Sequence, residues 1–498
     1  MRKRLRLRGL LIGLVPLSFF IYWLLNSQIV NKPDVEKSIA VLPFKNLSNN
    51  PEDRYLADGM MDAILNHLQR IKDLSVRSRS STDQYRESVP TASKIGDELN
   101  VSYILEGSFQ KVGNKANLIV QLIHTKSDEH LWAEEYNRDW SDIFKVQKDV
   151  AGLIAQELYA NITREEANAI ETIPTSNMVA YEYYLKGDKA HWDFWKNNDI
   201  QKIHESRELF QKAIDLDAKF SLGFTGLGRA YWMLANRSPL LATDYYAKAK
   251  VNFEKAISVD VYNGWAYSEL GVVNSLWDWD STAARKNFDL ARKMIPNDWN
   301  AYIHDFFHSY RVGDCNRLKR IVQRMKRIYP NLEQDSIDSR NILLLRCQGQ
   351  EKKIRKLADL YLKDNSTLAN SRSFFLSYLQ SKEYEKVEKI VRNYKANSKY
   401  RPLYYEFEGI LKAKTGDPTG AYAMLDSLKA SDGHLASIAS VYAALGEEEQ
   451  MYKYLGEALE HRDPSLHHLK DFGSFDPYFD QPRFKEIVSK IWIPLSTN

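Results

Sequence analysis

The chain has 498 residues, of which 27% are charged and 44% are hydrophobic. It is long enough for two or three domains, and its composition excludes bulk disorder. The formal net charge of +4 could indicate nucleic-acid binding, but five positive charges lie in the first eight residues, at Arg2, Lys3, Arg4, Arg6 and Arg8. Without those five, the net charge of the remaining chain is −1, so we expect no direct nucleic-acid partner.

A hydrophobic segment follows this basic tip, which we expect over residues 1–8. The letters GLLIGLVPLSFFIYWLL occupy residues 9–25, and the next charged residue is Lys32. An uncharged helix of this length can cross a bilayer core of about 30 Å, which predicts a transmembrane signal anchor over residues 9–30. A cleaved signal peptide is the alternative, although no small-x-small cleavage site follows the apolar run.

Charge and cysteine content bear on the compartment. Positive residues beside a membrane helix stay in the cytoplasm. We therefore expect a single-pass protein of the bacterial cytoplasmic (inner) membrane, with its N-terminus inside and the bulk of the chain in the periplasm. Cys315 and Cys347, the two cysteines of the sequence, are 32 residues apart. They could form a disulfide in an oxidising compartment or remain unlinked thiols, and their spacing fits no metal motif.

Residues 36–163 alternate between strand and helix patterns, which predicts a small α/β domain with a mixed sheet. Gly113-Asn114 is a turn signal between two apolar runs and predicts a hairpin there. The predicted strands are Ser38–Phe44, Leu74–Arg79, Val101–Gln110, Ala116–His124 and His130–Tyr136. Helices are predicted at Leu56–Ile71, Ala92–Leu99 and Asp142–Leu158, with a polar turn at Ser80–Arg86.

From about residue 175 the pattern changes to successive helices with a period. Trp265 and Trp299 are 34 residues apart, as are Pro296 and Pro330. A helix–turn–helix period of this length is typical of tetratricopeptide repeats (TPR). We expect about seven TPR-like hairpins over residues 175–465, followed by a C-terminal capping helix and tail over residues 466–498. Stacked hairpins form an all-α superhelix, whose concave surface binds peptides or helices and has no chemistry of its own.

Both regions resemble a known bacterial architecture. The stretch SIAVLPFKNLSNNPEDRYLADGMMDAIL resembles the amino-terminal domain related to TolB and FlgO, and the resemblance continues to FDPYFDQPRFKEIV near the C-terminus. Such domains stand beside TPR repeats in membrane-bound regulators, including proteins grouped with adenylate-cyclase and kinase receptors. The resemblance thus implies a role in signalling. Family members often carry a cytoplasmic winged-helix, cyclase or kinase domain before the membrane helix. Eight residues precede it here, so we expect the output domain to be missing or to lie on another chain.

None of the candidate motifs has the residue types and spacing that a catalytic site requires. The asparagines after the first strand lack the glycines and Lys-Ser/Thr of a phosphate loop, and turn shaping or capping explains them better. The glycines of GFTGLGR lie in a helix, where they favour close packing. Adjacent His467 and His468 point to different faces of a helix, so we interpret them as a surface pair and predict no metal. Asp278 and Asp280 are expected at a turn, as caps.

Seven of the eleven tryptophans fall between Trp192 and Trp299. We expect most in the core, with Trp232, Trp265 and Trp299 lining the concave groove beside Arg229, because Trp and Arg dominate interface energetics. The sequence therefore predicts a non-enzymatic, cofactor-free adaptor, or the sensor half of a signalling system, that binds a protein or peptide. Alternatives are an enzyme and a transcription-regulatory or cyclase-associated receptor component whose output domain is on another chain. Oligomerisation is possible.

Overall fold

The computed structural model describes most of the chain after the N-terminal segment. The described residues are 37–88, 90–237, 242–328, 334–363, 372–395, 401–431 and 434–491. The basic tip and the predicted membrane anchor, residues 1–30, lie outside these ranges. Among the described helices, none combines the length and apolar character required to cross a bilayer.

The first described unit contains a six-stranded mixed sheet, as predicted, with strand order β3-β1-β4-β5-β6 and β2 beside β4. The central strand β1 pairs in parallel with β3 and β4, whereas β4, β5 and β6 form an antiparallel meander. The strands are β1 Ser38–Val41, β2 Lys45–Asn46, β3 Ser75–Val76, β4 Tyr103–Val112, β5 Lys115–His124 and β6 Glu129–Asp139.

Helices cover both faces of the sheet at β1, and this explains its continuous apolar run. Ile39 and Val41 face one hydrophobic core, whereas Ala40 and Leu42 face a second core on the opposite side. The helices of this unit are α1 Arg54–Gln69, α2 Arg79–Thr82, α3 Ala92–Leu99, α4 Ile143–Glu157 and α5 Arg164–Glu171. The prediction of a polar turn at Ser80–Arg86 is wrong, because α2 and a 3-10 turn at Asp83–Tyr85 occupy that segment.

The remaining helices form a TPR-like helical repeat. Eight hairpins occur in the described residues of the range where about seven were predicted. The pairs are α6 Met178–Asn197 with α7 Ile200–Leu216, α8 Ser221–Ala235 with α9 Ala242–Val259, α10 Gly264–Val273 with α11 Ser281–Met294, α12 Trp299–Arg311 with α13 Cys315–Ile328, α14 Gln334–Cys347 with α15 Glu351–Lys363, α16 Arg372–Gln380 with α17 Tyr384–Lys395, α18 Arg401–Lys414 with α19 Pro418–Ala430, and α20 Leu435–Leu445 with α21 Glu448–Glu460.

The first helix of a hairpin contacts the first helix of the next hairpin in most of the array. These helices therefore form the inner, concave layer. The turn glycines predicted from the sequence adopt the left-handed backbone that a side chain disfavours, with φ of 71° at Gly313 and 85° at Gly416. Asp417 then caps α19 by accepting a hydrogen bond of 2.8 Å from the Gly420 backbone N–H.

The C-terminal segment folds back into the superhelix. A 3-10 helix at Pro464–Asp471 precedes the last helix, α22, at Pro482–Ile491. Asp471 accepts a 2.5 Å hydrogen bond from the Tyr310 hydroxyl of α12, and the Lys470 ammonium donates to the Tyr310 carbonyl at 2.7 Å. This segment thus covers part of the inner surface.

Cys315 and Cys347 form a disulfide bond. Cys315 is the first residue of α13 and Cys347 is the last residue of α14. The bond therefore links the fourth hairpin to the fifth, and the two alternatives left open by the sequence are decided in favour of pairing.

Candidate functional site

The α/β unit packs against the inner layer of the first four hairpins. Tyr181 and Leu185 of α6 belong to the same hydrophobic core as the sheet. The close approach of α1 depends on Gly59, because a Cβ at this position would lie 2.5 Å from Leu185 Cδ2. Gly59 lies within α1, inside the helix predicted at Leu56–Ile71.

Polar contacts fix this interface at three of the hairpins. The Asn297 side-chain amide donates to the Ile71 carbonyl at 2.7 Å, and Arg70 donates to the Tyr262 carbonyl at 3.1 Å. Arg77 donates to the Ile328 carbonyl at 2.8 Å. The chain's own α/β unit thus contacts the loops before α10 and α12 and the end of α13, beside the concave surface on which a partner was expected.

A cavity of about 430 Å³ remains between the two units. Its walls come from α1 on one side, and from α6, α8 and the first residues of α10 and α12 on the other. Ligand pockets typically occupy about 300–1,000 Å³ and are found preferentially between domains. We call this space the interdomain cavity.

Three of the four residues predicted to bind a partner line the interdomain cavity, namely Arg229, Trp265 and Trp299. Trp232 is not among its lining residues. Its ring is half-buried on the same helix as Arg229 and packs 6.4 Å from the ring of His304. The geometry therefore brings together one predicted residue from each of α8, α10 and α12.

Each tryptophan of the interdomain cavity packs against an arginine. The guanidinium carbon of Arg70 lies 5.0 Å from the Trp265 ring centroid, and that of Arg340 lies 4.5 Å from Trp299. Trp265 also donates a 3.2 Å hydrogen bond from Nε1 to Asp298. Cation–π pairs of this kind contribute about 0.5–2 kcal/mol, so these rings are held in place before any ligand arrives.

Trp192 is a cavity residue that the sequence did not single out. It lies on α6, and Arg79 of the α/β unit stacks 4.5 Å from its ring centroid. Its position at the start of the tryptophan-rich region could have marked it as a candidate. The repeat pattern alone, however, does not predict which tryptophan contacts another domain.

Arg79 is also the centre of an ion-pair network across the interface, which the sequence did not predict. It pairs with Asp62 of α1 and lies 3.7 Å from Asp188 of α6. Arg79 and Arg86 both approach Asp58, with Arg86 at 2.6 Å. Asp62 and Asp188 line the cavity, so this network supplies its acidic wall.

Arg229 is held by a neutral histidine and a weakly acidic glutamate. It is 2.8 Å from His191 Nε2, and its Nε is 3.7 Å from Glu269. Burial lowers the pKa of His191 well below its usual range, so this ring is neutral at pH 7. Burial also raises the pKa of Glu269 to about 7, against the opposing influence of Arg229.

The other candidate motifs have structural roles. Asn50 accepts a 3.1 Å hydrogen bond from the Glu52 backbone N–H, and Asp280 caps α11 through a 2.8 Å bond from Ala283, so capping is confirmed at both. Asp278 instead pairs with Lys250 at 2.7 Å. The surface interpretation of His467 is wrong, because this ring is 3% exposed and bonds to the Leu276 carbonyl at 2.8 Å.

Known proteins are similar to parts of the chain. Residues 35–153 match the family model described as HilA/YgeH-like transcriptional regulator, second domain. A Rhizobium meliloti (strain 1021) protein named "Putative adenylate cyclase 3" is 34% identical over 180 residues, which is 36% of this chain and 30% of that protein. The chain thus matches less than a third of the length of this relative.

Two solved structures show weaker similarity. The first TPR of Spaghetti (RPAP3) bound to the HSP90 peptide SRMEEVD is 21% identical, covers 30% of this chain and 97% of its own, and has a TM-score of 0.21. The LpoB C-terminal domain from Salmonella enterica is 18% identical, covers 23% of this chain and 91% of its own, and has a TM-score of 0.18. Neither score supports an argument about function.

Proposed function

We propose that the chain is a non-enzymatic, membrane-anchored TPR protein that binds a protein or peptide partner on its concave side, as an adaptor or the sensor half of a signalling system. The observation that carries this proposal is the aromatic interdomain cavity, which contains Arg229, Trp265 and Trp299. Because the α/β unit and the C-terminal segment both pack against the inner layer, the partner inserts a short segment rather than a long helix. The α/β unit is TolB- and FlgO-like in this proposal.

The disulfide supports a location outside the cytoplasm. Cytosolic thiols are kept reduced, whereas disulfides persist in the bacterial periplasm. Pairing of Cys315 with Cys347 therefore agrees with the orientation that the basic tip and the apolar segment predict.

A second candidate function is that of a transcription-regulatory or cyclase-associated receptor component whose output domain is on another chain. The matches to a HilA/YgeH-like regulator domain and to a protein named for adenylate cyclase favour this version. Co-purification with a winged-helix or cyclase-domain protein would distinguish it from a simple scaffold.

Affinity capture from solubilised membranes tests the proposed function. The full chain and its Trp299→Ala variant are used as baits, since this ring borders the cavity and comes from the inner layer. We expect one captured protein to be depleted with the variant, while the circular dichroism spectrum is unchanged. Identical captures from two folded baits would contradict binding at this site.

A further inference from the structure

The interdomain cavity is lined by both aromatic rings and charged side chains. Trp192, Trp265, Trp299 and Tyr184 contribute ring surface to its lining. Such surface binds apolar or aromatic groups, and its negative π-face also attracts cations. The charges around the cavity therefore decide which ligand it accepts.

The acidic wall has more carboxylates than cations. The two guanidiniums of Arg79 and Arg86 form ion pairs with four carboxylates. The carboxylates are Asp58, Asp62, Asp83 and Asp188. Burial holds the pKa of Asp62 above its usual range even beside Arg79. A further cation next to Asp62 and Asp188 would compensate the excess negative charge of these carboxylates.

Two buried or half-buried basic residues of the cavity, Arg70 and Arg229, are engaged by protein groups, whereas a third lining cation, Lys219, is exposed to solvent. Arg70 donates to the Tyr262 carbonyl and stacks on Trp265, with Asp260 as its nearest acidic influence. Arg229 has His191 and Glu269 as neighbours. An anionic ligand would thus compete with Glu269 at Arg229, whereas the contacts of Arg70 are a carbonyl and an aromatic ring.

His67 also belongs to the lining of the cavity. Among the described residues, His67 Nδ1 is buried and has no hydrogen-bond partner. Burial and the nearby Arg70 lower the pKa of His67 to about 3, so its ring is neutral at pH 7. One nitrogen of a neutral imidazole is an acceptor, and a buried polar atom without a partner is costly. Nδ1 has almost no accessible surface, so it is not a ligand contact of the cavity.

We propose that the interdomain cavity binds a primary ammonium group carried on an apolar or aromatic body, with the ammonium directed to Asp62 and Asp188 and the body packed on the tryptophan rings. The group comes either from a lysine or N-terminus of a peptide or from a small organic amine. This inference rests on the proposed function, since the cavity is the same concave site.

Calorimetric titration of the full chain with three matched probes tests the inference. The probes are 2-phenylethylamine, the neutral 2-phenylethanol and the anionic phenylacetate, which share a body and differ in charge. We expect saturable binding of the amine at one site, binding of the alcohol at least about tenfold weaker, and no detectable binding of the acid. Equal or tighter binding of phenylacetate, or no binding of the amine, would overturn the proposal.

Variants locate the binding site. Asp188→Asn should weaken amine binding about tenfold, whereas the matched Asp426→Asn change, at an exposed position of α19, should leave it unaltered. An unchanged affinity in folded Asp188→Asn protein would overturn the assigned site. If this variant does not fold, the three probes on the wild-type chain still show whether the cavity prefers a cationic ligand.

Peptide probes separate the two sources of the amine. A short capped peptide with one lysine between two phenylalanines is compared with its Nε-acetyl-lysine form. Tighter binding of the lysine peptide than of 2-phenylethylamine indicates a peptide source, and binding of the free amine alone indicates a small-molecule source. Equal binding of the acetylated peptide would count against the proposal. If the full chain captures no protein but still binds the amine, the proposed function is refuted and the amine site is not.

Discussion

At the scale of single residues, the interdomain cavity depends on side chains that two units hold from opposite sides. Trp265 is fixed by Arg70, the residue after α1, on its ring face and by Asp298 at its indole N–H. Arg229 and Glu269 lie beside each other on α8 and α10. The consequence is a site whose electrostatics depend on burial as much as on residue type.

Glu269 should make stability depend on pH. Burial raises its pKa from 4.5 to about 7, so the folded state disfavours the ionised form. Its contribution to stability is complete below the unfolded pKa and is lost as pH rises through about 7, by up to about 3 kcal/mol. We expect Glu269→Gln to remove this loss, so that the variant gains stability over wild type between pH 5 and pH 8 in urea unfolding.

The exposed Glu460 provides the control for this measurement. Glu460→Gln should leave the pH profile of wild type unchanged, because this residue is at the surface of α21. A Glu269→Gln profile parallel to wild type over the same range would show that Glu269 is ionised in the folded protein at little cost.

At the scale of elements, close helix packing explains the glycines that the sequence placed inside a helix. A Cβ at Gly226 of α8 would lie 2.5 Å from the ring of Phe210, a side chain that is 1% exposed. Small residues at such positions permit contacts between neighbouring helices of the repeat. The interpretation of GFTGLGR as a packing motif is thus confirmed at Gly226.

Substitution of two helical glycines should have opposite effects. Gly226→Ala forces Phe210 to move and should lower the unfolding free energy by about 1–3 kcal/mol. Gly456 of α21 has open space around it, so Gly456→Ala should raise the unfolding free energy by roughly 0.4–1 kcal/mol, since alanine has less freedom in the unfolded chain. Thermal unfolding of the two variants gives the signs, and equal shifts would contradict the packing role.

The disulfide links helix α13 to helix α14 covalently. Cross-linking residues 32 positions apart restricts the unfolded chain, and typical stabilisation is roughly 2–4 kcal/mol. We expect Cys315→Ser to lower the midpoint of thermal unfolding, and a reducing agent to produce the same shift in wild type. In the variant, the reducing agent should have no further effect; a shift there would point to another cause.

The sequence predicted which strands and helices form better than it predicted how long they are. Gly113 adopts a φ of 58°, and the hairpin around it pairs β4 with β5 over the predicted region. In contrast, the strand predicted at Leu74–Arg79 pairs only at Ser75 and Val76. The side chain of Arg77 donates to the carbonyls of Leu99 and Ile328, contacts between distant segments that no local pattern encodes.

At the scale of the whole molecule, the α/β unit and the C-terminal segment both pack against the inner layer of the repeat. The sequence indicated both units but not their packing, because the residues that join them, such as Asn297 and Arg70, resemble ordinary loop and helix-end residues. For the same reason it predicted an open groove and a surface His467. Arg229, Trp265 and Trp299 could be predicted because they share the inner layer, whereas Asp62, Asp188 and Trp192 meet them only through tertiary packing.

The orientation of the whole chain is a separate prediction. The positive cluster before the apolar segment predicts that everything after it lies outside the cytoplasm. An alkaline phosphatase reporter, which is active only in the periplasm, should therefore be active when fused after Asn498. A silent fusion together with an active cytoplasmic reporter at the same position would contradict this orientation.

Photo-crosslinking in cells tests partner binding at the interdomain cavity most directly. A benzoyl-phenylalanine in place of Asn300, which lines the cavity, is compared with one in place of Asp426 on the outer surface of α19. We predict a discrete crosslinked protein or peptide from position 300, reduced by added 2-phenylethylamine and absent from position 426. The same crosslinked products from both positions, or none from position 300 in a folded protein, would contradict the account.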